Sequence, residues 1–597
     1  MHDDIRTAAD LPCTIAVPVA AARAPSNQAA SAALKPAERV PTSSLRFRQH
    51  LRRVLFAVAM VVCPPIGAAA LQTVCTITVN SADEKEAFRR YLPAARFRQV
   101  ELVERGRPDW LASACRAGIS CDVLVISGHY DGHNEFFSDQ LDSREFLPVD
   151  ELERVSCSDT CSGLFARLKE VHLYGCNTLN AEAQSSATAE IVRSLVREGH
   201  SLKQAEQHLR ELNAGHGESS RDRMRLVFKD VPVIYGFSSV APLGPIAAST
   251  LGAYFRGRGT QEIGRGRPSA GLLAQFAPYG MAVTAGMTDQ DAQAPVRDDV
   301  CHFVDDRLSD GQRLDFIHAL LQRETAQSRI HLDRIRRYTA TLGAPDRQTP
   351  EVARALSTIA GDSATRTRFL DFARDADLPA VRARMLKVAL ELGWLSADER
   401  WAELALMLGE LQAHAVVGMT EVDLACTLNQ DHELDGAFEQ HIVTGSPADD
   451  VPHAAVRACL GSAQAQERTL QGLLSPNEAD VRIAQDYLRH RPIVDPDDLR
   501  RVATGIVRMN PSQAQVHALE ALGRHYVSDG EILRMLVELY ANTPSAPVQT
   551  AIAGILIRAD RRSLARPQLL QTLLQRRRPA GPGDGMVDAL LHRLRAP

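Results

Sequence analysis

Two short apolar runs that each stop at a glycine and hand over to a reactive side chain constrain this chain more than any other feature. The first is Cys121-Asp122-Val123-Leu124-Val125-Ile126-Ser127-Gly128-His129-Tyr130-Asp131-Gly132-His133, and the second is Glu170-Val171-His172-Leu173-Tyr174-Gly175-Cys176-Asn177-Thr178. Val123 to Ile126 shows no alternation of apolar and polar residues, the pattern of a strand covered on both faces. Two parallel strands of this kind deliver their exit residues to one edge of a sheet. His129 and Cys176 are therefore predicted to share that edge.

The flanking sequence fits the same architecture. Val74 to Val79 reads as a strand, followed by the helix-start signal Ser81-Ala82-Asp83-Glu84 and a helix through Tyr91. Val100 to Val103 is a second strand, with a helix over Asp109 to Ala117, and Val231 to Phe237 is a fifth strand after Val171 to Tyr174. Between them, Ala181 to Gly199 has the periodicity of a long amphipathic helix. Strands alternating with helices predict an α/β fold: a mainly parallel sheet with helices on both faces, over residues 71–290.

From about Asp298 the strand-like runs vanish. Helical segments rich in Ala and Leu follow, such as those at Val381-Arg382, Val481-Arg482, Val516-His517 and Val548-Gln549. The last three starts are 35 and 32 residues apart, the scale of a helix-pair solenoid. Residues 298–597 are thus predicted to form an all-α part that loosely resembles HEAT-like repeats, with Gln575 to Gly583 as a break before a short terminal helix.

Residues 1–44 are rich in Ala, Pro and Ser. A basic stretch, Leu45 to Arg53, then precedes the apolar run Val54 to Val62, and Ala68-Ala69-Ala70 offers small residues for cleavage. This is the form of a secretory signal peptide, so residues 1–70 read as leader and the protein as periplasmic or secreted. The run is too short to span a bilayer comfortably, and no stable membrane span is expected. A net charge of −5 gives no basic footprint, which argues against a nucleic-acid partner. Nine cysteines follow Ala70, an odd number, so one is predicted to stay free or to pair between chains, with Cys176 the candidate free thiol. Cys115 with Cys121, and Cys157 with Cys161, are close enough to close small loops, and a local disulfide is the preferred reading of the second pair.

A thiolate attacks a carbonyl when an imidazole handles its proton and backbone N–H groups receive the oxyanion. His129 lies 47 residues before Cys176, close to the spacing of about 50 seen in caspases. Gly128-His129 after one buried strand, and Leu173-Tyr174-Gly175-Cys176-Asn177-Thr178 after the next, resemble the His and Cys motifs of the caspase-like cysteine peptidases, including the bacterial CHAT and separase-type branches. The resemblance covers residues 71–280 and implies a cysteine-type hydrolase that uses no cofactor. It gives His129 the role of base, Cys176 that of nucleophile, and Gly128, Tyr130 and Gly175 the backbone around the oxyanion. It also implies that the loop after Val231 to Phe237 helps form the substrate pocket. The chain departs from the family at Tyr130, where glycine is usual.

Other readings compete. Either residue alone is more often an ordinary core thiol or surface histidine. His129, Asp131, His133 and Cys176 together offer zinc-type ligands, although Gly128 and Gly132 favour a loop over the helix that a His-x-x-x-His pair prefers. Acidic residues Asp131, Glu135, Asp139 and Asp142 would favour a basic side chain in a substrate, or simply form a solvated loop. The leading expectation is a peptidase acting on a protein or peptide, with the helical part holding substrate or a protein partner. The alternative is a retired caspase-like part within an interaction scaffold.

Overall fold

The computed structural model describes residues 71–595 apart from 104–110, 131–134, 139–144, 183–195, 197–198, 208–218, 324–327, 329–330, 377–378, 413–416, 431, 433, 436–449, 526, 560–563, 565–566 and 579–584. The predicted leader, and the helix expected over Ala181 to Gly199 for all but a few residues, lie outside the described residues.

The N-terminal part is an α/β fold. Its strands are β1 (Gln72–Thr78), β2 (Phe97–Val103), β3 (Val123–Ser127), β7 (Glu170–Tyr174), β8 (Val233–Phe237) and β9 (Met281–Thr284), in the order β2-β1-β3-β7-β8-β9. All pairs are parallel except β8 with β9. A small antiparallel sheet of β4 (His129–Tyr130), β5 (Glu135–Phe137) and β6 (Phe146–Pro148) grows directly out of β3. The strand period of two sorts the core into two faces. Cys75, Ile77, Leu124, Ile126, Val171, Leu173 and Ile234 face one side, where helices α3 (Val149–Cys157) and α4 (Ser220–Val227) pack through Leu152, Val155, Met224 and Val227. Val74, Val123, Val125, Tyr174, Val233 and Tyr235 face the other, against Phe88 of α1 (Asp83–Tyr91), Leu251 of α5 (Gly244–Tyr254) and Phe276 of α6 (Ala270–Phe276).

Four disulfides stitch the described residues: Cys75–Cys121, Cys115–Cys161, Cys157–Cys301 and Cys426–Cys459. The local Cys157–Cys161 bond preferred from the sequence is corrected. Cys157 ends α3 and bonds Cys301, 144 residues away, while Cys161 in the next turn bonds Cys115. The parallel crossovers are the reason, since each returns the chain beside a segment tens of residues earlier; two of the bonds span the same separation of 46. Several disulfides fit an oxidising compartment such as the periplasm or the extracellular space. Among the described residues, no helix is long and apolar enough to cross a membrane.

After α7 (Ala294–Val304) and α8 (Asp310–Leu321) the chain is helical, beginning with α9 (Leu332–Thr341). One row of neighbouring helices runs from α9 through Pro379–Glu391, Met419–Leu428, Glu478–His490, Gln513–Leu522 and Ala546–Leu556 to the terminal helix Met586–Arg595. Pro496–Arg508, Gly530–Asn542 and Pro567–Arg576 form a second row beside its last part. Val481, Val516 and Val548, the positions that betrayed the period, are buried near the start of three successive first-row helices.

The two parts meet in a charged joint. Asp150 of α3 binds Arg223 of α4 at 3.0 Å and Arg337 of α9 at 2.8 Å, and fully buried Glu153 binds Arg223 at 3.2 Å and Arg334 at 2.5 Å. Burial opposes the charge on Asp150, but the three guanidiniums outweigh it and hold its carboxyl at about 2. Beside them Arg297 donates to the Ser156 carbonyl at 3.0 Å, and the Cys157–Cys301 bond ties α3 to α7.

Candidate active site at the carboxyl edge of the sheet

The register between β3 and β7 brings the two motifs level. Ser127 pairs with Tyr174, and His129 and Cys176 each follow two residues later on adjacent parallel strands. The approach of the two exits is close. A Cβ on Gly175 would lie 2.9 Å from the Gly128 carbonyl oxygen and 2.9 Å from the Tyr130 Cβ, so only glycine fits there.

Cys176 is buried at 4% exposure, and its sulfur accepts the Ala241 N–H at 3.3 Å. Its turn is locked from below by Thr178, a fully buried residue that donates to the Gly175 carbonyl at 3.1 Å and accepts the Phe237 N–H at 3.0 Å. Asn177 takes the left-handed conformation, at φ 58°, and its N–H reaches the Ser239 carbonyl at 2.8 Å. The end of β8 and the loop after it are thereby tied to the cysteine turn at Phe237, Ser239 and Ala241. Sequence reasoning quoted Thr178 but gave it no role, and it gave no signal for Ala241, whose contribution is a backbone amide.

Cys176 is disulfide-bonded, which corrects the expectation of a free thiol. The odd count behind that expectation took only the nine cysteines beyond Ala70, whereas the chain carries 11; the partner lies outside the described residues.

His129 is half-buried at the start of β4, with its Nε2 turned away from solvent and its ring 5.4 Å from that of Phe137. Tyr130 is buried, paired with Phe136 across the small sheet at a ring separation of 4.8 Å. Tyr130 is thus a core residue of the hairpin. Gly128 donates its N–H to the Tyr174 carbonyl at 3.2 Å, so that amide serves the sheet. Asp131, His133, Asp139 and Asp142 lie outside the described residues, and among the described residues no cluster of three metal-ligating side chains occurs.

Beneath the edge sits an acid that the sequence reading passed over. Glu84, 3% exposed at the start of α1, has its pKa pushed up to about 8 by burial, with Asp83 adding to the shift and Ser127 opposing it. The Tyr174 hydroxyl nearby is raised as well, by burial first and by Glu84 second. Further along the same face, His172 Nε2 lies 3.5 Å from Glu170 Oε2 and its ring stacks 4.8 Å from that of Tyr235.

No protein-family model matches the chain, and no curated protein matches it.

Proposed function

We propose that the protein is an exported cysteine endopeptidase of caspase-like type, in which Cys176 is the nucleophile and His129 the base that handles its proton. The single observation that carries the reading is the β3–β7 register, which sets the two residues at equivalent positions past adjacent strand ends. The disulfides support export. The nucleophile is the free thiol of Cys176; wherever that sulfur is held in a disulfide, an external thiol or phosphine opens it and is oxidised while Sγ returns as a thiol. His129 then takes the thiol proton, Sγ bonds to the substrate carbonyl carbon, and the leaving amine carries the proton away as the acyl-enzyme forms. Water releases the acyl group by the reverse use of the imidazole.

The test is cleavage of a fluorogenic peptide library by the purified protein over a titration of phosphine reductant. Wild type gains activity as Cys176 is reduced, and Cys176→Ala loses it by about 10³-fold or more. Equal activity in the two proteins would overturn the assignment.

A second reading is favoured by the same disulfide and by the buried Tyr130: a non-catalytic α/β part carried in an interaction scaffold. It predicts that Cys176→Ala leaves every cellular effect of the protein intact. Loss of an effect in a folded Cys176→Ala protein rejects it.

A further inference from the structure

Helix α3 begins where the histidine hairpin ends, and the helical part holds it from start to finish. Strand β6 closes at Pro148 and α3 opens at Val149 with no residue between them. Backbone pairing carries β6 back to the histidine: Phe146 and Leu147 face Phe137 and Phe136 of β5, which face His129 and Tyr130 in turn. Tyr130, Phe136, Leu147, Val149 and Leu152 are each 3% exposed or less and belong to one close-packed core. Hairpin and helix therefore move as one body. The contacts from the helical part run along α3. Asp150 in its first turn binds Arg337 at 2.8 Å, and Glu153 binds Arg334 at 2.5 Å. Arg297 donates to both the carbonyl and the hydroxyl of Ser156, each at 3.0 Å. Cys157 is bonded to Cys301, and just past the helix Ser158 and Thr160 donate to Asp306 at 3.0 and 2.7 Å.

The α/β part grips the same helix through Arg223 of α4, and it does so at oxygens that the helical part shares. Asp150 Oδ1 receives Arg223 and Arg337 at 3.0 Å each, and Glu153 Oε1 receives Arg223 at 3.2 Å and Arg334 at 2.9 Å. The turn of Cys176 is held from elsewhere, by Phe237, Ser239 and Ala241 at the end of β8 and beyond it. The two reactive residues thus hang on different supports. At 1.5 Å per residue, the nine residues of α3 make a lever about 14 Å long. Turning it by about 5° at its Cys157 end moves its start by about 1 Å. A misplacement of that size between reacting groups can cost about 100-fold in rate.

We infer that the helical part positions His129 through α3, which makes Arg334 and Arg337 positioning residues for the base and makes the posture of the helical part a control on the site. The role of His129 as base rests on the peptidase reading, whereas the mechanical link is tested without it. Hydrogen exchange of the full chain, read by mass spectrometry, compares wild type with Arg337→Met, with Asp306→Ala at the other end of the lever, and with Gln549→Leu, which disturbs the helical row far from α3. Amides of the hairpin, residues 129–130, 135–137 and 146–148, should exchange at least about 10-fold faster in the first two variants and at the wild-type rate in the third. Wild-type protection of the hairpin in folded Arg337→Met and Asp306→Ala overturns the link. The second readout is alkylation of Cys176 at neutral pH after mild reduction, with the Cys157–Cys301 bond intact by mass mapping. Labelling should slow by about 10-fold in Arg337→Met, recover in part in Arg337→Lys and keep the wild-type rate in Gln549→Leu. A wild-type rate in Arg337→Met, where His129→Ala slows labelling, overturns the positioning role and leaves the dyad standing. If His129→Ala labels as wild type does, the dyad reading fails, and hydrogen exchange alone decides whether the helical part positions the hairpin.

Discussion

At the scale of single residues, Glu84 sets a pH dependence whose sign is fixed by burial. Its folded pKa, about 8, stands above the ordinary value of 4.5, so the native state holds a neutral carboxyl that the unfolded chain ionises. The contribution of Glu84 is therefore most favourable below pH 4.5 and is lost progressively as the pH rises to about 8, above which the loss is constant. At 1.36 kcal/mol per pKa unit the loss amounts to a few kcal/mol, on the order of 3–5. Glu84→Gln keeps a neutral side chain of the same shape. Urea titrations between pH 5 and 9 should show the variant losing less stability than wild type over that range, and parallel curves would refute the assignment. Gly175 gives a second residue-scale expectation. Gly175→Ala pushes a methyl group against the Gly128 carbonyl and Tyr130 and should destabilise the fold by roughly 1–3 kcal/mol, read as a lower denaturation midpoint with unchanged slope. Both glycines and both reactive residues were legible in the sequence because an apolar strand ends visibly. Glu84 was not, since a glutamate in the first turn of a helix reads as an ordinary favourable partner of the helix dipole.

At the scale of elements, the helical rows repeat polar contacts as well as apolar ones. Gln515 reaches from its helix to the carbonyls of Ile506 at 3.0 Å and Met509 at 3.1 Å, closing the end of the preceding helix. Gln549, in the next first-row helix, does the same for Tyr540 at 2.8 Å and also reaches Arg576 at 2.8 Å. Both glutamines are 0–2% exposed. The N-caps repeat with them: Asp495 and Asp529 start second-row helices, Ser512 and Ser545 first-row ones. Replacing either glutamine with leucine strands buried carbonyls and should cost about 1–3 kcal/mol, with the two effects adding because they share no partner. Thermal melts of the two single variants and the double variant check both statements. The valine spacing exposed the period over this stretch, but the glutamines were hidden in it, because a polar residue one position from a buried valine carries no sign of whether it faces water or a helix end. The disulfides were misread for a related reason. Spacing along the chain favours short loops, whereas a parallel sheet makes distant residues neighbours, as Cys75 and Cys121 show, and helix packing joins Cys157 to Cys301.

At the scale of the whole molecule, the alternation of strands with helices and the switch to an all-helical part followed from hydrophobic pattern, since one strand covered on both faces implies helices above and below it. The joint between the two parts did not. Asp150 and Glu153 read as the acidic first half of a surface helix, and only the fold sets them against three arginines. Removing one partner leaves buried charge behind, so Arg334→Met should cost about 3–5 kcal/mol, more than Glu153→Gln combined with Arg334→Met. Denaturant titrations of the single and double variants measure that coupling. Loss of the Cys157–Cys301 bond, in Cys157→Ser with Cys301→Ser, should lower stability by about 2–4 kcal/mol, through a loop of 144 residues that then closes without a covalent tie.

At one edge of the sheet a histidine is proposed to activate a cysteine. The most direct measurement is the pH profile of Cys176 alkylation after mild reduction, read by mass mapping of its peptide, in wild type and in His129→Ala. An activated sulfur labels with a midpoint well below that of an ordinary thiol, about 8.5, and the midpoint rises toward that value when His129 is removed. A single midpoint shared by both proteins, or a Cys176 that no reductant exposes, would contradict the dyad.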